Sequence, residues 1–414
     1  MDPWVHIVGG GLSGLSLAVS LAQLGTLPGR VLISEPAPEA LASKTFSFWF
    51  TEGERNFLKP EHVSSRWSVS QGSEATVHRG HQFTYGTRSG RAVLDDALSA
   101  IHNHAQIELV HETVLAKPKA TYVFDSRPCD IETHQVTQSF VGIEVQFEHA
   151  HGISEVGLME RLVATDSGVR FVYVLPLGPD RLLVEYTEFT TVPSDFSELA
   201  TLNEHYLMDN FSNHSYEVQR TESAHIPMGF RQRSEHFGIP LGARGGMTRD
   251  ATGYGYRTIR YACDQIAKDL IRNDVVKPFR RSVATVWADR LFLNLIQHRP
   301  DAIPQILMQI ANRMTPDKFA AFMMNCAPWD LFHLLRAAPV KPFTCALLGQ
   351  FLTKSNFLKS GHFWPKFNFF SISMFLSNIM YILCRLLTKI INLNKKLNLA
   401  IFCRNVNFLL NRIF

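Results

Sequence analysis

The N-terminal stretch WVHIVGGGLSGLSLAVSLAQLG limits the possible fold more than any other part of the chain. A short run, Val5–Val8, predicts a buried strand, and the apolar spacing after Gly14 predicts a helix. Between them lie Gly9, Gly11 and Gly14 in the spacing G-x-G-x-x-G. In such a turn the first glycine permits the tight bend, the second lets backbone approach a pyrophosphate, and the third lets the helix pack closely. The stretch therefore predicts a dinucleotide-binding βαβ unit.

A second strand pattern, RVLISEP, ends in an acidic residue at the spacing that such a unit requires. Glu35 follows Gly14 by 21 residues, where a carboxylate would bond ribose hydroxyls. No arginine adjoins Glu35 to take a 2′-phosphate, which favours the ADP-ribose of FAD or NAD over that of NADP.

Two later segments favour FAD over NAD. ATYVFDSRP predicts a strand that ends at Asp125, and IPLGARGGMTRDATGYGYRTIRYACDQIA predicts a strand, a glycine-rich turn and a helix. In flavoproteins of this plan a second glycine-rich turn holds the ribityl and isoalloxazine side; an ordinary strand–loop–helix is the alternative. The residues that we expect at the cofactor here are Asp125, Gly245, Gly246, Thr252, Gly253 and Tyr254.

Charge is unevenly distributed along the chain. Residues 351–414 carry nine of the 41 Lys and Arg and no acidic residue, so the first 350 hold 32 basic (41 − 9) and 37 acidic residues. The mildly acidic body argues against nucleic-acid binding. The basic apolar tail predicts attraction to anionic membrane lipid, as an interfacial helix, as a thin span over 367–384, or as a segment foreign to the enzyme.

Other patterns exclude further classes of site. Six cysteines lie far apart without a C-x-x-C pair, which indicates neither a disulfide framework nor a zinc site. His149 and His151 lack further evident ligands, so we expect no metal. The N-terminus shows no charged leader, and we predict a cytoplasmic, peripherally membrane-associated protein.

The segments RFVYVLPL and RLLVEYTEFT predict a hairpin across the turn GPD. Regular alternation places Leu183, Glu185 and Thr187 on one face and Glu188 on the other, where we expect it to face solvent. Glu185 stands among apolar neighbours, where a carboxylate loses hydration unless something holds it. Glu185 is therefore either part of an ordinary strand edge or a carboxyl group placed to deliver a proton.

Several segments together resemble the lycopene cyclases, flavoproteins that close the ends of lycopene into β-rings. Their order and spacing agree from about residue 4 to 350. The segments are the glycine turn 9–14, KTFSFWF (44–50), DSRP (125–128), QSFVGIEVQF (138–147), FVYVLPLGPDRLLVEYT (171–187), GGMTRDATGYGYRTI (245–259) and the stretch 292–343.

The resemblance implies a long apolar tunnel for lycopene and other linear carotenoids, reduced FAD as cofactor, and NADPH or NADH as its source of electrons. Glu185 matches the first acid of the family's Leu-Glu-Glu-Thr motif and would be the catalytic acid. Three positions depart from the family pattern: Tyr186 replaces the second acid, Glu160 replaces an Asp, and Pro128 replaces a Gly. We expect the aromatic residues within 46–50 either to line the tunnel or to be ordinary core residues.

The predicted fold class is α/β, with a Rossmann-like FAD-binding domain (1–60, 111–134 and 236–284), an inserted β-rich substrate domain (61–110 and 135–235), a helical region (285–350) and the tail (351–414). The predicted function is lycopene β-cyclase, an acid-initiated, net non-redox cyclisation to β-ionone rings. The alternatives are a FAD/NAD(P)H-dependent oxidoreductase, such as an epoxidase or reductase on an apolar isoprenoid, and a non-catalytic carotenoid- or FAD-binding protein. The type of ring made and the oligomeric state do not follow from the sequence.

Overall fold

The computed structural model describes residues 2–128, 136–229, 237–273 and 275–325. Within these ranges a parallel sheet has five strands in the order β15-β9-β1-β2-β8. Its strands are β1 (Val5–Val8), β2 (Val31–Ser34), β8 (Ile107–Val110), β9 (Tyr122–Asp125) and β15 (Ile239–Pro240).

A larger sheet of seven strands has the order β14-β10-β13-β12-β11-β5-β6 and is antiparallel except where β11 pairs with β5. Its strands are β5 (Arg66–Gln71), β6 (Glu74–Arg79), β10 (Thr137–Phe147), β11 (Val156–Thr165), β12 (Gly168–Pro176), β13 (Arg181–Thr190) and β14 (Tyr216–Pro227). The predicted hairpin is confirmed as β12 and β13, paired in register across residues 177–180. A third, small sheet has the order β3-β7-β4, with β3 (Thr45–Phe50), β4 (His62–Ser64) and β7 (Thr84–Ser89).

Three helices of the described ranges follow a residue whose side chain accepts a hydrogen bond from a first-turn amide, and two others have a proline in their first turn. The three capping residues are Ser89, Asp195 and Ser282. The helices are α1 (Leu12–Ala22), α2 (Arg55–Leu58), α3 (Gly90–His102), α4 (Phe196–Phe211), α5 (Tyr256–Asn273), α6 (Val283–His298), α7 (Ile303–Arg313) and α8 (Pro316–Met324).

Within the described residues, three apolar clusters form the interior. One joins the parallel sheet to α1, α3 and α5, a second joins one face of the seven-stranded sheet to α6, α7 and α8, and a third joins its other face to α4. The predicted α/β class, with a parallel sheet of the dinucleotide-binding type and a β-rich second part, is confirmed. The helices after α5 therefore cover the sheet face that carries the candidate site.

Two predicted domain ranges differ from the sheets to which their strands belong. We placed residues 61–110 in the substrate domain, but β8 forms an edge of the parallel sheet and α3 packs against α1. The reason is the apolar face of α3, including Val93, Leu94, Ala97 and Ile101, which is buried with the parallel sheet. Conversely, β3 lies within the predicted range 1–60 yet pairs with β7 of the small sheet.

None of the helices in these ranges combines the length and apolarity that a membrane crossing needs. The predicted tail, residues 351–414, lies outside the described residues, as do residues 326–350 of the predicted helical region.

Candidate active site

A cavity of about 330 Å³ lies between the seven-stranded sheet and helices α6, α7 and α8. Its walls are predominantly apolar, as a site for a hydrocarbon requires. Sheet residues at the wall include Phe140, Leu158, Met159, Phe171 and Phe189, and helical residues include Ala288, Phe292, Ile306, Leu307, Ile310, Phe322 and Met323. Polar groups at the same wall are Lys44, Thr45, Ser47, Tyr85, Gln138, Tyr173, Glu185, Thr187, Glu222, Arg249, Thr252, Tyr254 and Tyr256.

Strand β13 presents Glu185 to this cavity. The predicted alternation is confirmed, because Glu185, Thr187 and Phe189 all line the cavity. Thr187 Oγ1 donates a hydrogen bond to Glu185 Oε1 at 2.8 Å. Burial, reinforced by the nearby charge of Glu222, raises the pKa of Glu185 to about 8 despite opposing contributions from Thr187 and Arg220. Glu185 is thus a carboxylic acid that stays protonated at neutral pH.

A row of paired residues crosses the sheet through Glu185. Tyr173 on β12 pairs with Glu185, Glu185 pairs with Gly142 on β10, and Gly142 pairs with Glu222 on β14. A Cβ atom at Gly142 would lie 3.5 Å from Glu185 Oε2 and 3.3 Å from Glu222 Cγ. The absence of a side chain at Gly142 therefore leaves two carboxyl groups flanking one empty position.

The second carboxyl group has a charged partner. Glu222 is 7% exposed, and Arg220 Nη1 lies 3.1 Å from its Oε2 atom. Arg220 also donates from Nε to Glu144 Oε2 at 2.6 Å. Burial raises the pKa of Glu222, while Arg220 opposes that shift. Our reading of the sequence did not identify Glu222 or Arg220.

Three tyrosine hydroxyls form a chain beside the carboxyl groups. Tyr85 Oη lies 2.6 Å from Tyr173 Oη and 2.9 Å from Tyr254 Oη. Burial raises the pKa of all three hydroxyls well above the usual value, so they remain neutral hydrogen-bond donors. The predicted cofactor residue Tyr254 is thereby linked to Tyr173, the partner of Glu185 across the sheet.

The aromatic stretch 46–50 divides between the two roles that we left open. Phe46 lines the cavity, whereas Phe48, Trp49 and Phe50 are buried in the core, each 2% exposed or less. Phe46 and Phe48 both stack on Tyr256. The ring centroid of Tyr256 lies 5.6 Å from that of Phe46 and 4.5 Å from that of Phe48.

The predicted phosphate turn has the required backbone. Gly9 adopts φ +100°, and a Cβ at Gly14 would lie only 2.0 Å from the Gly9 carbonyl oxygen. A Cβ at Gly11 would meet nothing within 4 Å, so this side of the turn is open. Helix α1 begins at Leu12 without a side-chain cap from Gly11, and its Gly14 amide donates to Ser126 Oγ. An anion at this turn would therefore be bound by the amides of Leu12 and Ser13. Glu35 accepts from the amides of Gly10 and Ala37 at 2.8 and 2.9 Å, which fixes its carboxylate next to the turn.

Asp125 lies at the end of β9 but does not present an open carboxylate. It is fully buried, and it pairs with Arg127 at 2.8 Å and accepts from the Phe237 amide at 3.1 Å. Burial favours a raised pKa, but the hydrogen bonds from Arg127 and Phe237 and the charge of Arg127 outweigh it and lower the pKa of Asp125. Its contacts order the strand end, while the neighbouring Ser126 Oγ accepts from the Gly14 amide at 3.0 Å.

The second glycine-rich loop reaches from the parallel sheet to the cavity. Gly245 packs against the Pro240 carbonyl, where a Cβ would lie 2.4 Å from the oxygen, and Gly246 and Gly253 both adopt φ +70°. Thr252, Gly253 and Tyr254 are at the cavity wall, and helix α5 begins just after them, at Tyr256. The structure thus brings the loop residues together with Glu185 at one cavity.

Gln138 adds an unpaired acceptor at the same wall. Its Oε1 atom is buried and, among the described residues, lacks a hydrogen-bond partner; a Cβ at Gly253 would lie 3.0 Å from it. A buried acceptor without a donor in the folded chain is the arrangement expected where a ligand supplies the N–H or O–H.

The other face of β13 corrects one expectation. Glu188 is 3% exposed and does not face solvent, because Arg170 pairs with it at 2.9 Å and Thr165 Oγ1 donates to it at 2.6 Å. Tyr186 is also buried on that face, and its amide donates to Asn203 Oδ1 on α4 at 3.1 Å. Tyr186 is therefore not positioned as a second acid of the cavity.

Glu160 and Pro128, the two remaining departures from the family pattern, each accept hydrogen bonds from neighbouring side chains. Burial raises the pKa of Glu160, whose oxygens accept from Ser68 and Tyr206 at 3.2 Å each. The carbonyl of Pro128 accepts from Arg244 at 2.5 Å. Within the described ranges, no group of three or more His, Cys, Asp or Glu side chains could hold a metal ion.

Comparison with known proteins supports the resemblance that the motifs indicated. The lycopene cyclase protein family model matches residues 5–342. A lycopene beta-cyclase of a Paracoccus species is 26% identical over 203 residues, covering 44% of this chain and 52% of that protein. A lycopene beta-cyclase of Pantoea ananas is 26% identical over 272 residues, covering 60% of this chain and 69% of that protein. The matched region thus spans about half of the first relative and about two thirds of the second.

Solved structures show the same fold at low sequence identity. A geranylgeranyl bacteriochlorophyll reductase-like protein of Thermoplasma acidophilum aligns with a TM-score of 0.54 at 10% identity, over 83% of this chain and 98% of its own. A flavoprotein/dehydrogenase of Cytophaga hutchinsonii aligns with a TM-score of 0.52 at 12% identity, over 85% and 99%. The chain therefore has the fold of these flavoproteins, and the family match over residues 5–342 shows that it belongs to the lycopene cyclase family.

Proposed function

We propose that the chain is a lycopene β-cyclase in which Glu185 is the catalytic acid. One observation carries the proposal: a carboxyl group whose pKa is raised to about 8 lies at the wall of a mainly apolar cavity. Protonating an alkene requires an acid that is held dry and still protonated near neutral pH. The relatives that match this chain are lycopene beta-cyclases, which agrees with this chemistry.

In the proposed reaction the proton of Glu185 moves to a terminal alkene carbon of the carotenoid. The resulting tertiary carbocation closes the ring by forming a carbon–carbon bond, and a ring C–H bond then breaks to give the ring double bond. Mass is unchanged, because one proton enters and one leaves. The rings of Phe46, Phe171 and Phe189 at the cavity wall would stabilise the positive charge through their faces.

The residues also fit FAD. The open side of Gly11, the uncapped N-terminus of α1 and the fixed Glu35 carboxylate suit a pyrophosphate and ribose. Gly245, Gly246, Thr252, Gly253 and Tyr254 would hold the flavin side, next to the unpaired Gln138 Oε1. Reduced flavin would supply electron density that stabilises developing positive charge, with NADPH or NADH as the source of electrons.

The substrate would reach the protein from lipid. Lycopene has no polar group and dissolves only in an apolar phase, so we propose that the protein is cytoplasmic and associates peripherally with a membrane. The basic, apolar segment 351–414 is the part of the sequence suited to that contact.

Expression in cells that accumulate lycopene tests the proposal. The wild-type chain should convert lycopene into β-ring products of unchanged mass, and Glu185→Gln should leave lycopene unconverted while the purified variant still binds flavin. Glu204→Gln makes the same substitution at an exposed site on α4 and should behave as wild type. A fully active Glu185→Gln protein would exclude Glu185 as the acid. Wild-type products of altered mass would instead indicate an oxidoreductase.

A further inference from the structure

The proposed cyclisation needs a group that takes the ring proton. The acid gives up one proton at the start, and the cation loses one at the end. Two acceptors balance these steps: the Glu185 carboxylate that the first step leaves, or a second base in the same cavity that passes its proton back before the next turnover. Only polar side chains at the cavity wall can serve.

We propose that Glu222 is this base and that Glu185 and Glu222 form a dyad sharing one proton. The inference rests on the proposed function. Both side chains line the cavity, and both flank Gly142, which separates them by a single residue without a side chain. The two carboxyl groups thus lie on the same face of the sheet, on strands β13 and β14, with β10 between them.

The partners of the two carboxyl groups assign the roles. Glu222 pairs with Arg220, a fixed positive charge that favours a carboxylate, whereas Glu185 accepts a hydrogen bond from the neutral hydroxyl of Thr187. The group beside the guanidinium is suited to be the anionic base, and the group beside the hydroxyl is suited to be the acid. Arg220 is itself held by Glu144 and by the Ser43 carbonyl, each at 2.6 Å, so its charge is fixed in position.

The proton and electron balance closes within the dyad. The O–H bond of Glu185 breaks as a C–H bond forms at the terminal alkene carbon, using the π electrons of that alkene. After ring closure the Glu222 carboxylate takes a proton from the ring carbon next to the cation, and the electrons of that C–H bond form the ring double bond. Transfer of the proton from Glu222 to Glu185 restores the starting state without an external acid, oxidant or reductant.

Other ionisable groups act on the dyad from every neighbouring element. The groups are Arg220 on β14, Glu144 on β10, Tyr173 on β12, Tyr254 before α5 and Lys44 before β3. The tyrosine hydroxyls stay neutral, so the charges that matter are those of Glu144, Arg220 and Lys44. None of these three groups takes the role of acid or base that we propose for the two carboxyl groups facing the cavity.

The test is the pH dependence of turnover with purified holoenzyme, reduced FAD and lipid-dispersed lycopene. For wild type we expect a bell-shaped profile whose two limbs belong to the dyad, since a base must be ionised and an acid protonated. Glu222→Gln should lower kcat by about 100-fold or more. It should also abolish the acidic limb and move the alkaline limb to lower pH, because the negative neighbour of Glu185 is gone. A merely structural role for Glu222 would not change the profile in this way.

Three further variants keep the result interpretable. Glu222→Asp should restore the acidic limb, and Glu217→Gln, on the exposed part of the same strand, should match wild type. Arg220 keeps its Glu144 partner in Glu222→Gln, and thermal unfolding and flavin content verify that this variant is folded. Gly142→Ala keeps both carboxyl groups but places a methyl group between them, and we expect at least a tenfold loss of kcat.

The outcome that overturns the dyad differs from the outcome that overturns the proposed function. If wild type cyclises lycopene but Glu222→Gln retains the acidic limb and a kcat within about twofold, Glu222 is not the base. If Glu222→Gln does not fold, Gly142→Ala replaces it in the test. A Gly142→Ala protein with the kcat of wild type would then show that Glu222 is not the base. If wild type itself does not cyclise lycopene, the proposed function is wrong.

Discussion

Glu185 and Glu188 lie three residues apart on opposite faces of β13, with Glu185 half-buried at the cavity wall and Glu188 buried in an ion pair. Glu185 faces the apolar cavity and accepts a hydroxyl from Thr187, whereas Glu188 is 3% exposed and paired with Arg170. The same residue type on one strand therefore has two environments, one that favours the neutral acid and one that compensates the anion.

For Glu185 we predict a pH-dependent effect on stability. Its pKa is raised to about 8 in the folded protein, so the folded state binds more protons than the unfolded state between the two pKa values. The stabilisation is complete below the unfolded pKa and is lost as pH rises towards about 8. Glu185→Gln should consequently be more stable than wild type by about 1–3 kcal/mol at alkaline pH, with little difference in mild acid.

Urea unfolding of both proteins at about pH 5 and about pH 9 measures this difference. An equal difference in free energy of unfolding at the two pH values would contradict the raised pKa.

For Glu188 we predict the opposite sign. Glu188→Gln removes the buried carboxylate that pairs with the half-buried Arg170 and should lower the free energy of unfolding by about 3 kcal/mol. Glu198→Gln is the matched control, because Glu198 also pairs with Arg170 at 2.8 Å but is 55% exposed, and its loss should be under about 1 kcal/mol. Chemical denaturation at neutral pH measures both. Equal losses in the two variants would argue against the buried pair as the stabilising contact.

Two glycines of the phosphate turn should separate folding from cofactor binding. Gly11→Ala adds a methyl group in open space, so we expect unchanged thermal stability without flavin but markedly less bound flavin. Gly14→Ala would place a Cβ 2.0 Å from the Gly9 carbonyl oxygen and should destabilise the fold itself. Flavin absorbance and thermal unfolding of each purified variant measure the two effects. Full flavin content in Gly11→Ala would contradict a phosphate site at this turn.

A buried ion pair connects the second glycine-rich loop to α6. Arg249 Nε donates to Asp289 Oδ1 at 3.1 Å, and Asp289 also accepts from the Asp250 amide at 3.1 Å. Asp289→Ala should destabilise the protein by about 3–5 kcal/mol, because it leaves Arg249 buried without its partner. Asp301→Ala, in an exposed pair with Arg299, should leave the free energy of unfolding nearly unchanged. A small effect of Asp289→Ala in urea unfolding would show that the loop does not depend on this pair.

The features that sequence alone could predict are those set by local spacing. The G-x-G-x-x-G turn, Glu35 and the β12–β13 hairpin depend on neighbours within one or two elements, and each lies where the spacing places it, while nucleotide binding at the turn and Glu35 stays a prediction. The alternation that places Glu185 and Thr187 on one face is a property of any regular strand, so it too was predictable.

The features that the sequence could not provide depend on pairing between distant strands. Glu222 joins the site because β14 pairs with β10, which brings it to Gly142, 80 residues earlier in the chain (222 − 142). The prediction for Glu188 was wrong because alternation tells which face a residue occupies but not what covers that face; here α4 and Arg170 cover it. No spacing rule within β13 contains that information.

The chain of tyrosine hydroxyls has a consequence for how the site can respond to what binds at either end. Tyr85 is bonded to both Tyr173 and Tyr254, so two hydrogen bonds join three O–H groups. If Tyr173 donates to Tyr85 and Tyr85 donates to Tyr254, the hydroxyl hydrogen of Tyr254 is not used within the chain. If both bonds are reversed, the hydroxyl hydrogen of Tyr173 is the one not used. Rotation of hydroxyl hydrogens alone can therefore move a donor from the glycine-loop end to the Glu185 end, while every heavy atom keeps its position.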